Sequence, residues 1–134
     1  MNPFSILLVD DDEIERIKFK KVCNDINFTC TIEEANNGKK AMAILKEHKN
    51  FSIIVLDLQM PEMNGLELLE QLKKNEALNG IPIIIMSNSE DTSELRKCYQ
   101  LGIAGYFTKP AKYSEYAKKV KSLLKYWTQN EFIN

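Results

Sequence analysis

Short apolar runs alternate with segments of helical spacing along the chain, and this alternation restricts the fold more than any other feature. The first run is Ser5-Ile6-Leu7-Leu8-Val9, and further runs follow at residues 28–33, 51–56, 82–86 and 104–108. Continuous apolar runs of this length are typical of strands that are buried on both faces of a sheet. The run at 28–33 is more polar, which favours an edge position. Strands that alternate with helices predict right-handed βαβ units and a parallel sheet.

Five segments have the apolar spacing of amphipathic helices. They open at Asp12 and at Asn37-Gly38, and they span residues 65–78, 91–101 and 113–127. Asp12 with Glu15 predicts a capping box at the first helix. We expect the core-facing residues to be Ile14, Ile17, Val22 and Ile26 in the first helix and Leu95, Cys98 and Tyr99 in the fourth. Five strands and five helices predict an α/β, doubly wound, flavodoxin-like domain with strand order 2-1-3-4-5.

Length and composition predict one domain over residues 1–134, with a core at about 5–124 and a C-terminal extension at 125–134. The net charge of −1 gives no support for a nucleic-acid or anionic-membrane partner. No apolar run approaches the length of a membrane span, and the first residues lack the pattern of a signal peptide. The three cysteines are far apart in sequence and form no CxxC pair, so we expect reduced packing residues of a cytoplasmic protein.

Charged and polar residues stand at the ends of four predicted strands. They are Asp10, Asp11 and Asp12 after the first, Asp57 after the third, Ser87 at the end of the fourth and Lys109 after the fifth. Ligands of doubly wound sheets bind at the carboxyl ends of the strands, so we expect these side chains to share one rim.

Carboxylates packed together on such a rim repel each other, and a divalent cation would relieve this repulsion. An all-oxygen ligand set without Cys or His suits Mg²⁺ or Mn²⁺. One carboxylate could then attack phosphorus to form an acyl phosphate. Lys109 would neutralise the phosphoryl oxygens, and the Ser87 hydroxyl would donate a hydrogen bond to them.

Four sequence blocks resemble the signature blocks of response regulator receiver domains of two-component systems, the single-domain chemotaxis regulators included. The blocks are Val9-Asp10-Asp11-Asp12, Leu56-Asp57-Leu58-Gln59-Met60-Pro61-Glu62-Met63-Asn64-Gly65, Met86-Ser87 and Thr108-Lys109-Pro110, and the resemblance runs from about Ser5 to Leu124. It implies a signalling switch that is not a metabolic enzyme. A histidine kinase or phosphotransfer protein would be the phosphoryl donor.

The resemblance also implies a role for each matching residue. Asp57 resembles the phospho-accepting aspartate, and Lys109 resembles the lysine of the family. The implied ligands of Mg²⁺ are Asp11 and Asp57 directly, Asp10 mainly through water, and the backbone carbonyl of Gln59. Ser87 and Tyr106 resemble the hydroxyl and the aromatic residue that switch together. Pro110 suggests a cis Lys109-Pro110 bond.

Two further features concern lifetime and output. Asn88 departs from the small residue that is usual after the switch hydroxyl, and Gln59 and Ser89 stand where the family tunes the lifetime of the phosphoryl group.

Output would come from contact with a downstream protein or from a homodimer. Trp127, Phe132 and Ile133 near the C-terminus resemble, weakly, the ending of the short regulators that pair with phytochrome-type kinases.

The residues leave three alternative functions open. Asn88 favours a phosphorylation-independent receiver that acts as a scaffold. A phosphotransferase of the haloacid dehalogenase type also uses a strand-end carboxylate, but it places an acid where Gln59 stands. A flavodoxin-like cofactor binder conflicts with Asp10 to Asp12, because acidic residues would repel a flavin phosphate.

Overall fold

The computed structural model describes residues 4–48, 50–60 and 63–129, and these residues form five strands and five helices in strict alternation. The strands are β1 (Phe4–Val9), β2 (Cys30–Ala35), β3 (Ile53–Leu56), β4 (Ile83–Ser87) and β5 (Gly105–Thr108). The helices are α1 (Glu13–Asp25), α2 (Gly38–Glu47), α3 (Gly65–Lys74), α4 (Thr92–Gln100) and α5 (Tyr113–Thr128).

All five strands run parallel in one sheet of order β2-β1-β3-β4-β5, which confirms the predicted fold. The more polar β2 lies at an edge, as its composition predicted. In the centre, Val9 is in register with Leu56, and Leu56 is in register with Ile85. The carboxyl ends of β1, β3 and β4 therefore meet at one rim.

The core has two apolar layers because successive strand residues point to opposite faces of the sheet. In β1, Leu7 and Val9 pack with α2, α3 and α4, whereas Ile6 and Leu8 pack with α1 and α5. Trp127 is buried in the second layer, so it packs on the domain; Phe132 and Ile133 lie outside the described residues. Cys23 and Cys98 are buried and Cys30 is half-buried, as expected for packing residues.

Three apolar residues that we expected in the core are exposed. Ile14, Ile17 and Tyr99 are 67%, 51% and 51% exposed, so these expectations are wrong. The buried stripe of α1 is formed by Phe19, Val22 and Cys23, so the expectation for Val22 is confirmed, whereas at 100° per residue Ile14 and Ile17 lie on the far side of the helix.

Two local predictions also fail. Helix α3 ends at Lys74 and not at residue 78, because Asn75 leaves the helical conformation and its side chain accepts a hydrogen bond from the Ala77 amide at 2.9 Å. The peptide bonds of the described residues are all trans, so the cis Lys109-Pro110 bond is wrong. Trans is the intrinsically favoured isomer even before proline. No described helix is long and apolar enough to cross a membrane.

Gly65 brings the start of α3 against the loop that follows β3. The Gly65 amide donates to the Leu58 carbonyl at 2.9 Å, and the Asn64 side chain caps the helix by accepting from the Glu67 amide at 3.0 Å. A Cβ atom on Gly65 would lie 2.4 Å from Leu58 Cα and 2.5 Å from the Asp57 carbonyl oxygen. A glycine is therefore needed for this close approach, which fixes the backbone at Asp57.

We predict that Gly65→Ala lowers the free energy of unfolding by about 2–3 kcal/mol, because backbone atoms of the β3–α3 loop must move to admit the methyl group. Urea denaturation measures the change. Gly80→Ala is the matched control, since a Cβ atom there meets nothing within 4 Å, and we expect a change below about 0.5 kcal/mol. Equal stability of the two variants would contradict the steric argument.

Candidate functional site

Backbone hydrogen bonds between neighbouring strands set the positions of the site residues. The Asp57 amide donates to the Val9 carbonyl at 2.9 Å, and the Lys109 amide donates to the Ser87 carbonyl at 2.8 Å. The ladder thus extends one residue beyond β3 and β5, and it places Asp57 and Lys109 at the same rim.

Three carboxylates converge at this rim. Asp10, Asp11 and Asp57 each offer an oxygen atom, and these oxygens all lie within 4.8 Å of one another. Asp10 and Asp57 are buried, whereas Asp11 is exposed, so the cluster is open to solvent on the side of Asp11. The structure brings together the three acidic residues that the sequence singled out as metal ligands.

Lys109 is the positive charge that faces these carboxylates. Its Nζ atom donates to Asp10 Oδ2 at 2.8 Å and lies 3.9 Å from Asp57 Oδ2, and its side chain is 6% exposed. Burial alone would lower the pKa of Lys109, but the hydrogen bond and charge of Asp10, with the charges of Asp57 and Glu15, raise it above its ordinary value. The ammonium therefore stays charged at neutral pH.

The carboxyl group of Asp57 resists ionisation. Burial is the main cause that raises its pKa to about 6, and Asp10 and Asp11 add to the increase. Lys109 and the Gln59 amide, which donates to Oδ1 at 3.3 Å, act in the opposite direction. The carboxylate at neutral pH thus lies in surroundings that would be improved by additional positive charge.

Ser87 and Tyr106 are connected through Ser89. Ser87 is fully buried and its hydroxyl accepts a hydrogen bond from the Ser89 amide at 3.1 Å. The Tyr106 hydroxyl donates to the Ser89 carbonyl at 3.3 Å. Asn88 is exposed. The backbone of Ser89 therefore links the two residues that the sequence assigned to a switch.

Glu15, which we expected in a capping box, contacts this site instead. Asp12 does cap α1, since its side chain accepts from the Ile14 amide at 2.9 Å. The Asp12 amide, however, donates to Asp10 Oδ1 at 3.0 Å and not to Glu15. Glu15 instead places Oε2 3.8 Å from Lys109 Nζ. The signal in the sequence was an acidic residue one helical turn after Asp11.

Comparison with known proteins identifies the family of this arrangement. The family model described as the response regulator receiver domain matches residues 6–121. The chain belongs to this family. The predicted resemblance is therefore confirmed, and the receiver domains of this family are parts of two-component signalling systems.

Individual relatives agree with the assignment. The chain is 30% identical over 120 residues to the two-component response regulator ORR5 of Oryza sativa subsp. japonica, covering 90% of this chain and 88% of the relative. The structure of the Mn(2+)-bound form of response regulator Rcp1 is 25% identical, with a TM-score of 0.88 over 98% of this chain and 99% of that one. The phosphorylated cyanobacterial phytochrome response regulator RcpA is 24% identical, with a TM-score of 0.89 over 98% of both chains, and shares the fold.

The donor set of this receiver domain fits a hard divalent cation. Asp10, Asp11 and Asp57 present oxygen atoms alone, as Mg²⁺ and Mn²⁺ prefer. Asp10 already uses Oδ1 for the Asp12 amide and Oδ2 for Lys109. Asp11 and Asp57 therefore have more capacity left for a cation than Asp10.

We predict that Asp57→Asn stabilises the metal-free receiver domain by about 1–3 kcal/mol at neutral pH, because the variant removes a buried carboxylate whose pKa is raised. Well below about pH 4 the carboxyl is protonated in both the folded and the unfolded chain, and the variant has no advantage. As the pH rises to about 6, the wild type loses stability and the advantage becomes complete. Urea denaturation in chelator across this range measures the difference.

The exposed Asp25, 3.1 Å from Lys21, supplies the matched control: Asp25→Asn should change stability by less than about 0.5 kcal/mol. Added Mg²⁺ should stabilise the wild type more than Asp57→Asn, since a cation that binds the folded state raises its stability. A loss of stability in metal-free Asp57→Asn would show that burial does not dominate at this carboxylate.

Proposed function

We propose that this receiver domain accepts a phosphoryl group on Asp57 from a phosphohistidine of a histidine kinase or phosphotransfer protein, in the presence of Mg²⁺ or Mn²⁺. The observation that carries the proposal is the buried Asp57 carboxylate beside Asp10 and Asp11 and opposite Lys109. Such a group has a poor environment as a bare anion, and it would gain from charge neutralisation at the same place where a phosphoryl group would arrive.

The transfer requires an ionised Asp57, which a pKa of about 6 allows at neutral pH. A carboxylate oxygen of Asp57 forms the bond to phosphorus while the bond from phosphorus to the histidine nitrogen breaks. Lys109, a buried amine that is protonated at neutral pH, stabilises the charge on the phosphoryl oxygens. Asp11, Asp57 and the Gln59 carbonyl would hold the divalent cation, with Asp10 acting through water, and the cation would supply further neutralisation of those oxygens.

Phosphorylation would switch a surface for protein contact through Ser87 and Tyr106. Ser87 would turn toward the phosphoryl group and donate its hydroxyl proton to it. This movement would disturb the hydrogen bond that the Ser87 oxygen accepts from the Ser89 amide, and hence the Tyr106 bond to the Ser89 carbonyl. Tyr106 lines a groove with the exposed Tyr99, so its movement would alter a surface that a downstream protein or a second copy could read. Conversion of a mostly inactive population into a mostly active one takes about 5 kcal/mol of preference.

We predict that incubation with Mg²⁺ and acetyl phosphate adds the mass of one phosphoryl group to the wild type and none to Asp57→Asn. Intact mass spectrometry measures the adduct. Asp12→Asn is the matched control, because Asn is an equally good helix cap at that position and the charge is removed two residues from Asp10. This variant should be phosphorylated like the wild type.

The alternative of a phosphorylation-independent scaffold makes the opposite forecast for the same measurement. Its motivating residue, Asn88, is exposed and lies next to the buried Ser87. The absence of an adduct on the wild type with acetyl phosphate and with phosphohistidine donors would favour the scaffold and reject our proposal.

We further predict that Ser87→Ala still forms the adduct but transmits much less of its effect to Tyr106. In the wild type, phosphorylation should shift the NMR signals of the Tyr106 ring, whereas in Ser87→Ala the shift should fall by more than about half, because the link through Ser89 is cut. The exposed Tyr126 ring provides a reference signal that should stay unchanged in both proteins. An equal shift of Tyr106 in both proteins would exclude Ser87 from the switch.

A further inference from the structure

The ammonium group of Lys109 lies near the carboxylates of Glu15 and Asp57 and is hydrogen-bonded to neither. Its Nζ atom is 3.8 Å from Glu15 Oε2 and 3.9 Å from Asp57 Oδ2, while its short hydrogen bond goes to Asp10 at 2.8 Å. An ammonium has three donors, so it can turn a second hydrogen bond toward either neighbour. Glu15 and Asp57 are therefore nearly equivalent competitors for the same positive charge.

Helix α1 and Lys18 hold Glu15 in this position. Glu15 stands in the first turn of α1, and its Oε1 atom is 3.3 Å from Lys18 Nζ, which itself lies 4.6 Å from the centre of the Tyr116 ring. In the part of the chain that the structure describes, Glu15 Oε2 is a buried side-chain oxygen without a hydrogen-bond partner. A buried carboxylate oxygen in this condition favours the approach of a nearby donor, and Lys109 Nζ lies 3.8 Å from it.

We propose that Glu15 is a positioning residue that draws Lys109 away from Asp57 and thereby slows phosphorylation. The inference rests on the proposed function, because a phosphoryl group on Asp57 adds negative charge on one side of Lys109 alone. Lys109 must then turn toward Asp57 and give up its attraction to Glu15. The pair of Glu15 and Lys18 accordingly sets how strongly Lys109 is held in the unphosphorylated state.

The rate of phosphorylation by acetyl phosphate at saturating Mg²⁺ tests the inference. Glu15→Gln should raise the rate about threefold to tenfold, the size expected for coupling between charges in contact. The matched control is Glu13→Gln, which removes the same charge from an exposed position in the same helical turn and should change the rate by less than about twofold.

Lys18→Gln should lower the rate, since Glu15 without its second partner attracts Lys109 more strongly. In the double variant Glu15→Gln/Lys18→Gln, this loss should vanish, and the rate should equal that of Glu15→Gln. A loss that persists in the double variant would mean that Lys18 acts without Glu15, and it would overturn the coupling between them.

A second measurement needs no phosphoryl donor or metal. Glu15→Gln should shift the NMR signals of the Lys109 side chain in the metal-free protein, whereas Glu13→Gln should leave them unchanged. Two results would overturn the role of Glu15 in a wild type that forms its adduct. One is that the Lys109 signals are unchanged in Glu15→Gln, and the other is that Glu15→Gln is phosphorylated no faster than Glu13→Gln. A wild type that forms no adduct would instead overturn the proposed function, and the inference with it.

Discussion

The contact between Lys109 and Asp10 is the interaction on which the geometry of the site depends. Both side chains are less than a tenth exposed, and their atoms lie 2.8 Å apart. Two opposite charges that are removed from water stabilise the fold weakly, because desolvation offsets much of their attraction. The pair holds a positive charge beside two further carboxylates, those of Asp11 and Asp57. The contact between Lys109 and Asp10 therefore contributes more to the site by placing charge at the rim than by stabilising the fold.

The parallel sheet holds these charged groups close together although the carboxylates repel one another. Strands β1, β3 and β4 are buried on both faces, so the apolar layers hold their ends in fixed register. Gly65 adds a second constraint, since α3 approaches the Asp57 backbone more closely than any side chain would permit. Asp57 is thus held in surroundings that it does not favour as an anion, and the stability of the core keeps it there. Sites that are prepared for charged ligands are commonly built in this way.

The sequence predicted most of the fold and several of the side chains that meet at the rim, for reasons that can be traced to particular residues. Apolar runs such as that ending at Val9 identify buried strands, and the rule that parallel strands end together brought Asp10 and Asp57 to one rim. The sequence did not predict the rotation of α1, because both Ile17 and Phe19 suit an apolar face and only packing on the sheet selects Phe19. It missed the contact of Glu15 with Lys109 for the same reason, since that contact joins α1 to a residue 94 positions later.

The charges at the rim also explain why Lys109 alone does not satisfy Asp57. One ammonium serves three carboxylates, and its short bond is already given to Asp10. Burial therefore keeps the pKa of Asp57 raised, although a positive charge lies 3.9 Å away and acts to lower it. A cation near Asp11 would reduce the repulsion among the carboxylates, and a phosphoryl group on Asp57 would then have both the cation and Lys109 as partners. If Asp57 accepts a phosphoryl group as proposed, each addition would improve the environment of the other, so cation binding and phosphorylation should be cooperative through electrostatics.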